Sequence, residues 1–150
     1  MKRTIVAIFA LLLVVSVSAQ ESGIGVGLSD SGLEGKYWMG DKALAIHLTS
    51  NSYLGVDYLL KHDFDMVGIT DNPTPVYYGA GLSVGSDESV DTNTLEKTTE
   101  LGLNIRGVAG IAYFVASMPI DIYLEITPSI GVLGGTGFDV GSALGFRYFF

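Results

Sequence analysis

From Gly23 to the last residue, the chain alternates apolar with polar or small residues in stretches of period two. That spacing places the apolar residues on one face of a β-strand. Eight such stretches can be read. The first sets Ile24, Val26 and Leu28 against Gly23, Gly25 and Gly27. The second sets Leu33, Gly35, Tyr37 and Met39 against Glu34, Lys36 and Trp38. The third sets Leu44, Ile46 and Leu48 against Ala43, Ala45 and His47. The fourth starts near Ser52 and sets Leu54, Val56, Tyr58 and Leu60 against Tyr53, Gly55, Asp57 and Lys61. Its alternation continues toward Phe64 and Met66. In the fifth, Val76, Tyr78, Ala80, Leu82 and Val84 oppose Tyr77, Gly79, Gly81 and Ser83. In the sixth, Leu101, Leu103, Ile105, Ile111 and Tyr113 oppose Gly102, Asn104, Arg106, Gly110 and Ala112. The seventh opposes Ile120, Ile122, Leu124, Ile126 and Ile130 to Asp121, Tyr123, Glu125 and Thr127. The eighth opposes Phe138, Val140, Leu144, Phe146, Tyr148 and Phe150 to Asp139, Gly141, Ala143, Gly145 and Arg147.

Turn-forming residues punctuate these runs at Asp30-Ser31-Gly32, Gly40-Asp41, Asn51-Ser52, Asp71-Asn72-Pro73, Ser117-Met118-Pro119 and Gly134 to Gly137. The longest break, Ser86 to Lys97, is acidic and rich in Ser and Thr. Pro128 inside the seventh run removes a ladder donor and predicts a bulge there. No stretch shows helical periodicity after residue 20, so the pattern predicts one all-β domain of eight antiparallel, up-and-down strands.

The first twenty residues differ. Lys2 and Arg3 precede an apolar run from Thr4 to Val17, and Val17-Ser18-Ala19 offers small residues at a cleavage position. This is the pattern of a secretory signal peptide. The run is shorter than the ~20 residues that a spanning helix needs. The expectation is a leader over 1–19 and a barrel domain over 20–150. No later apolar run reaches spanning length, so residence in a membrane would rest on strands.

The second face of the strands decides which side looks out. It is mostly Gly, Ala and Ser, interrupted by Glu34, Lys36, Asp57, Lys61, Arg106, Asp121, Glu125, Asp139 and Arg147. A water-facing strand has no reason to be glycine-rich, because glycine weakens strands. The interior of an eight-stranded barrel is just wide enough for side chains to fill. Four positive and five negative charges nearly balance, as buried charges must. The apolar face then looks outward and the charges fill the lumen. With both ends of the domain on one side, Tyr37, Phe64, Tyr78, Tyr113, Tyr148 and Phe150 gather near one outward rim. Phe138 marks the opposite rim. Aromatic girdles of this kind flank the apolar band of transmembrane barrels, and closure satisfies the backbone in lipid.

The last eight residues, Ala143-Leu-Gly-Phe-Arg-Tyr-Phe-Phe150, resemble the C-terminal signal of bacterial outer-membrane barrels. Gly145, Tyr148 and Phe150 match that signal, while Ala143 stands where a polar residue is usual. The whole domain resembles the eight-stranded barrels of the outer membrane protein A and X type. Gly35-Lys-Tyr-Trp38, Pro75-Val-Tyr-Tyr-Gly-Ala-Gly81 and Tyr123-Leu-Glu-Ile-Thr-Pro128 resemble segments of a group of short bacterial barrels with no assigned function. The resemblance implies outer-membrane lipid as the surroundings. It also implies periplasmic chaperones and the barrel assembly machinery as partners during biogenesis.

Composition narrows the chemistry. The chain of 150 residues has no cysteine and a formal charge of −8. Without Lys2 and Arg3, six basic residues face sixteen acidic ones, a net charge of −10. Such a chain lacks the basic clusters that nucleic acid requires. Gly23-Ile-Gly-Val-Gly27 lies inside a strand with no helix after it, so it is not a phosphate loop. Asp63 and Asp65 lack calcium-loop spacing, and no cofactor is expected. A lipid-modifying enzyme would need a nucleophile beside an oriented base at the lipid face, whereas His47 points into the lumen and His62 lies near the rim of the domain's ends. A wide porin bore does not fit eight strands. The expected role is therefore structural, or a surface interaction through the long 85–98 connection, of a monomeric barrel without catalysis. The alternatives are a periplasmic lipocalin-like binder, an adhesin acting through 85–98, and the lipid-modifying enzyme.

Overall fold

A computed structural model describes residues 22–50, 52–62, 74–90, 97–115, 117–134 and 137–150. It contains eight strands: β1 (Ile24–Ser29), β2 (Gly32–Met39), β3 (Lys42–Thr49), β4 (Leu54–His62), β5 (Val76–Val90), β6 (Lys97–Phe114), β7 (Ile120–Leu133) and β8 (Phe138–Phe149). Each pairs antiparallel with the next, and β1 pairs with β8 from Gly25↔Phe149 to Ser29↔Gly145. The sheet is therefore a closed barrel, and closure removes the unpaired edges that an open sheet would present. No helix occurs among the described residues. The expected leader over 1–19 lies outside them, as do Asp63, Phe64, Asp65 and Met66.

Tight turns set the register at one end. Gly40-Asp41 joins β2 to β3, with φ of +72° at Gly40, the backbone that a primed two-residue hairpin turn demands and that glycine adopts without strain. At the other end, the Ser29 hydroxyl accepts from the backbone N–H groups of Ser31 and Gly32, which closes the β1–β2 turn.

The apolar face is outside on all eight strands. Ile24, Leu33, Ile46, Val56, Leu82, Ile105, Leu124 and Leu144 are exposed examples. On β7 this face runs from Ile120 to Ile130, and ten residue steps tilted by about 40° rise roughly 25 Å. Tyr37, Tyr78, Tyr113, Tyr148 and Phe150 lie toward the end that carries Gly23 and Phe150. Tyr148 is half-buried because it packs edge-on to Phe150 at 5.1 Å. Phe138, 70% exposed, lies at the opposite end.

Two expectations are corrected. The acidic stretch is not a loop over 85–98, since β5 and β6 stay paired from Gly85↔Gly102 to Val90↔Lys97. Only 91–96 lies between the two strands. The β4 pairing ends at Leu54↔Val84 and the β7 pairing at Leu103↔Leu133. This segment therefore projects as a two-stranded ribbon above the rest of the wall. Pro128 carries no bulge. The β6–β7 register is the same on both sides of it, at Arg106↔Ser129 and Ala109↔Ile126, and the shift falls between Gly131 and Leu133. The pairing skips Gly107 and Val108 opposite the proline and resumes in the same register, and Gly107 leaves room for the ring: a Cβ there would lie 3.3 Å from it.

The interior is filled in only one half. Trp38, Leu59, Tyr77, Phe114 and Phe149 pack toward the end that carries Gly23 and Phe150, with no or almost no exposure. Inward glycines make room for these rings. A Cβ at Gly110 would lie 2.6 Å from the Tyr77 ring, and one at Gly25 would lie 2.7 Å from Phe149. The glycine-rich face is thus the floor beneath an aromatic plug, a pairing that also pins strand register. Each buried ring contributes roughly 1.5–3 kcal/mol of transfer free energy.

Candidate functional site: a polar cavity at the barrel mouth

The floor of the site is an ion network drawn from strands distant in sequence. Lys36 on β2 and Arg147 on β8 are completely enclosed, and inward alternation from three further strand positions brings carboxylates to them. Arg147 donates through Nε to Asp121 Oδ1 at 3.0 Å and through Nη2 to Asp121 Oδ2 at 2.9 Å. Its Nη1 donates to Glu34 Oε1 at 2.5 Å. Lys36 Nζ donates to Glu125 Oε1 at 3.0 Å and lies 3.5 Å from Glu34 Oε1. The Tyr77 hydroxyl donates to Glu125 Oε1 at 2.7 Å. Both cations also rest on rings, Lys36 over Tyr77 at 3.9 Å and Arg147 over Tyr123 at 3.8 Å. Three carboxylates thus share two cations. Truncating one member of such a set leaves a buried charge uncompensated.

A second cluster forms one wall. Arg106 Nη1 lies 2.7 Å from His47 Nε2. Arginine has no acceptor, so Nε2 must accept and the ring proton belongs on Nδ1. That nitrogen faces Asp57 Oδ2 at 3.3 Å. Arg106 Nε lies 3.3 Å from Asp57 Oδ1, but neither atom gains a hydrogen bond there. The register explains the meeting: Ala45↔Asp57 and His47↔Gly55 pair β3 with β4, and Asp57↔Gly81 and Gly81↔Arg106 carry the row across β5 to β6. A Cβ at Gly81 would clash with the Asp57 carboxylate and backbone, so glycine lets the carboxylate lean toward Arg106.

Above the floor lies a cavity of about 680 Å³. Hydroxyls of Ser29, Thr49, Ser83, Thr127 and Ser129 line it, together with Asn104, Glu34, Asp57, Glu125 and Asp139. Tyr53 and Phe138 stand at its rim. The aromatic plug closes the opposite half, so among the described residues the interior is a blind cup opening away from the end that carries Gly23 and Phe150.

The nine expected lumen charges divide into four groups. Glu34, Lys36, Asp121, Glu125 and Arg147 form the floor. Asp57 and Arg106 join His47 in the wall. Lys61 sits at the plugged end, its Nζ 5.9 Å from the Trp38 ring centroid. Asp139 is exposed at the mouth rather than buried among the others. At the C-terminus, Gly145 lies beneath the Tyr123 ring, and Tyr148 and Phe150 face outward. The sequence reading missed Tyr77 and Tyr123 as partners of the buried cations, although their inward parity was visible. His47 has both ring nitrogens engaged, and His62 is exposed at the end of β4. Among the described residues, no group of three or more His, Asp or Glu is placed to hold a metal ion. Comparison of the chain with protein-family models, with curated proteins and with solved structures finds no match.

Proposed function

We propose that the chain is a small integral β-barrel of a bacterial outer membrane. In this reading it is exported by a leader cleaved after Ala19 and assembled through its C-terminal Gly145, Tyr148 and Phe150. Its role is that of a surface scaffold rather than a pore or an enzyme. One observation carries the reading: every strand turns its apolar side chains outward while the charges pair inside. In water that outer belt would far exceed the apolar patches that soluble monomers expose. In lipid the same belt matches the ~25 Å band of transmembrane barrels. The aromatic plug argues against conduction, and the engagement of both His47 nitrogens argues against a lumenal hydrolase.

The test is gel mobility of the chain from Gln20 to Phe150 refolded in detergent, unboiled against boiled. A compact band that shifts on boiling is expected. A chain that stays soluble without detergent and shows no shift would replace this reading with a periplasmic lipocalin-like binder. A second role, surface recognition through the ribbon, rests on its projection beyond β4 and β7. Deleting 86–96 would abolish such recognition and leave the gel shift intact.

A further inference from the structure

We infer that the mouth cavity is a binding site for a small organic polycation, an extended chain of amines linked by methylenes. Its volume of about 680 Å³ falls within the ~300–1,000 Å³ of small-molecule sites. Charge then selects the ligand. Among the described residues in and below the cavity, the carboxylates of Glu34, Asp57, Asp121, Glu125 and Asp139 stand with the cations Lys36, Arg106 and Arg147 and with His47, whose Nδ1 lies 3.3 Å from Asp57. The fourth inward cation, Lys61, lies at the far end over Trp38. Among the described residues the mouth half therefore carries two more negative charges than positive ones, one of them on the exposed Asp139 at the opening.

The acceptors are also in place. Asp57 lines the cavity with its carboxylate held against the wall, the enclosed Oδ1 3.3 Å from Arg106 Nε and Oδ2 3.3 Å from His47 Nδ1, so it contributes charge rather than a free acceptor. At Glu125, which lines the cavity, Lys36 and Tyr77 both bond to Oε1, and among the described residues nothing bonds Oε2, which is the acceptor offered to a ligand. Along β7 the wall runs from Glu125 to Ser129, the partner of Asp139. Four residue steps span about 13 Å, a distance that a polyamine bridges and a single ammonium does not. An anion would add to the excess charge, a neutral sugar would leave it unmatched, and a metal ion lacks a three-ligand group. Among the described residues the cup opens only at the mouth, so the ligand enters from that side. None of this depends on whether lipid or water surrounds the barrel.

The experiment is calorimetric titration of spermidine into the barrel, purified in detergent after expression of the full chain. The variants are Ser129→Arg, beside Asp139 on the cavity wall, and Asp139→Lys, at an exposed position. Each is first checked for the heat-dependent gel shift, which isolates folding from binding. One spermidine per barrel is expected, with affinity falling as salt rises. At least a tenfold weakening is expected in either variant that keeps the gel shift. Absence of saturable spermidine binding would overturn the inference. So would binding that Asp139→Lys leaves unchanged, or equal binding of a neutral disaccharide.

Discussion

Arg147 bonds both Glu34 and Asp121 and rests on the Tyr123 ring, and Arg147→Met is the sharpest probe of the ion network. The replacement keeps much of the volume but removes the charge. Asp121 has no exposure, and among the described residues Arg147 alone bonds its carboxylate. Glu34 would keep Lys36 at 3.5 Å, and Glu125 would keep both Lys36 and Tyr77. The loss therefore falls chiefly on Asp121. Leaving one buried carboxylate unpaired costs about 3–5 kcal/mol, and losing the stack on Tyr123 adds about 1 kcal/mol. With a urea slope of about 2 kcal/mol per molar, the unfolding midpoint drops by about 2–3 M. The assay is urea unfolding of the refolded barrel in detergent, followed by tryptophan fluorescence of Trp38, which lies in the plug. The double variant Arg147→Met with Asp121→Asn removes the stranded charge and should recover more than half of the loss. A single variant within about 0.3 M of the parent midpoint would refute the electrostatic account. A double variant no better than the single would show that the loss is one of packing.

Arg106→Leu strands Asp57 beside a half-exposed mouth where His47 remains, so it should lower the same midpoint by about half as much as Arg147→Met. Gly110→Val drives a side chain into the Tyr77 ring and displaces its bond to Glu125. A loss of about 1–3 kcal/mol is expected for such overpacking, with a smaller loss for Gly110→Ala, read by urea midpoint. Leu124 lies midway along the outward face of β7, and Leu124→Arg should cost about 2–4 kcal/mol in lipid vesicles. A change within ±0.5 kcal/mol would instead mark Leu124 as a water-facing position.

Much of the architecture was legible from spacing. The eight strands, their order of turns and the inward face were all readable, because alternation is imposed residue by residue on any two-faced strand. The ends of strands were less so. Residues 85–90 and 97–98 look like a loop by composition, yet they pair because the hairpin below them continues its register upward. Pro128 signals a break, and the ladder does skip Gly107 and Val108, but only the pairing shows that the same register resumes beyond them. Asp139 has inward parity like Arg147, and only its height in the barrel leaves it in the open mouth.

By itself the sequence determined the period, the class and the side of each strand on which every side chain falls. These are local properties, set by the pleat and by turn chemistry. It also set the near-balance of the nine interior charges, since that is a count. Closure decided the rest. The β1–β8 register brings Arg147 level with Gly27, and the β7–β8 register sets it beside Asp121. Small changes of stagger would pair different charges with the same alternation. Tertiary structure likewise divided the interior into an aromatic plug and a polar cup. Interior volume depends on which rings lie over which glycines across the barrel, and no property of a single strand contains that information.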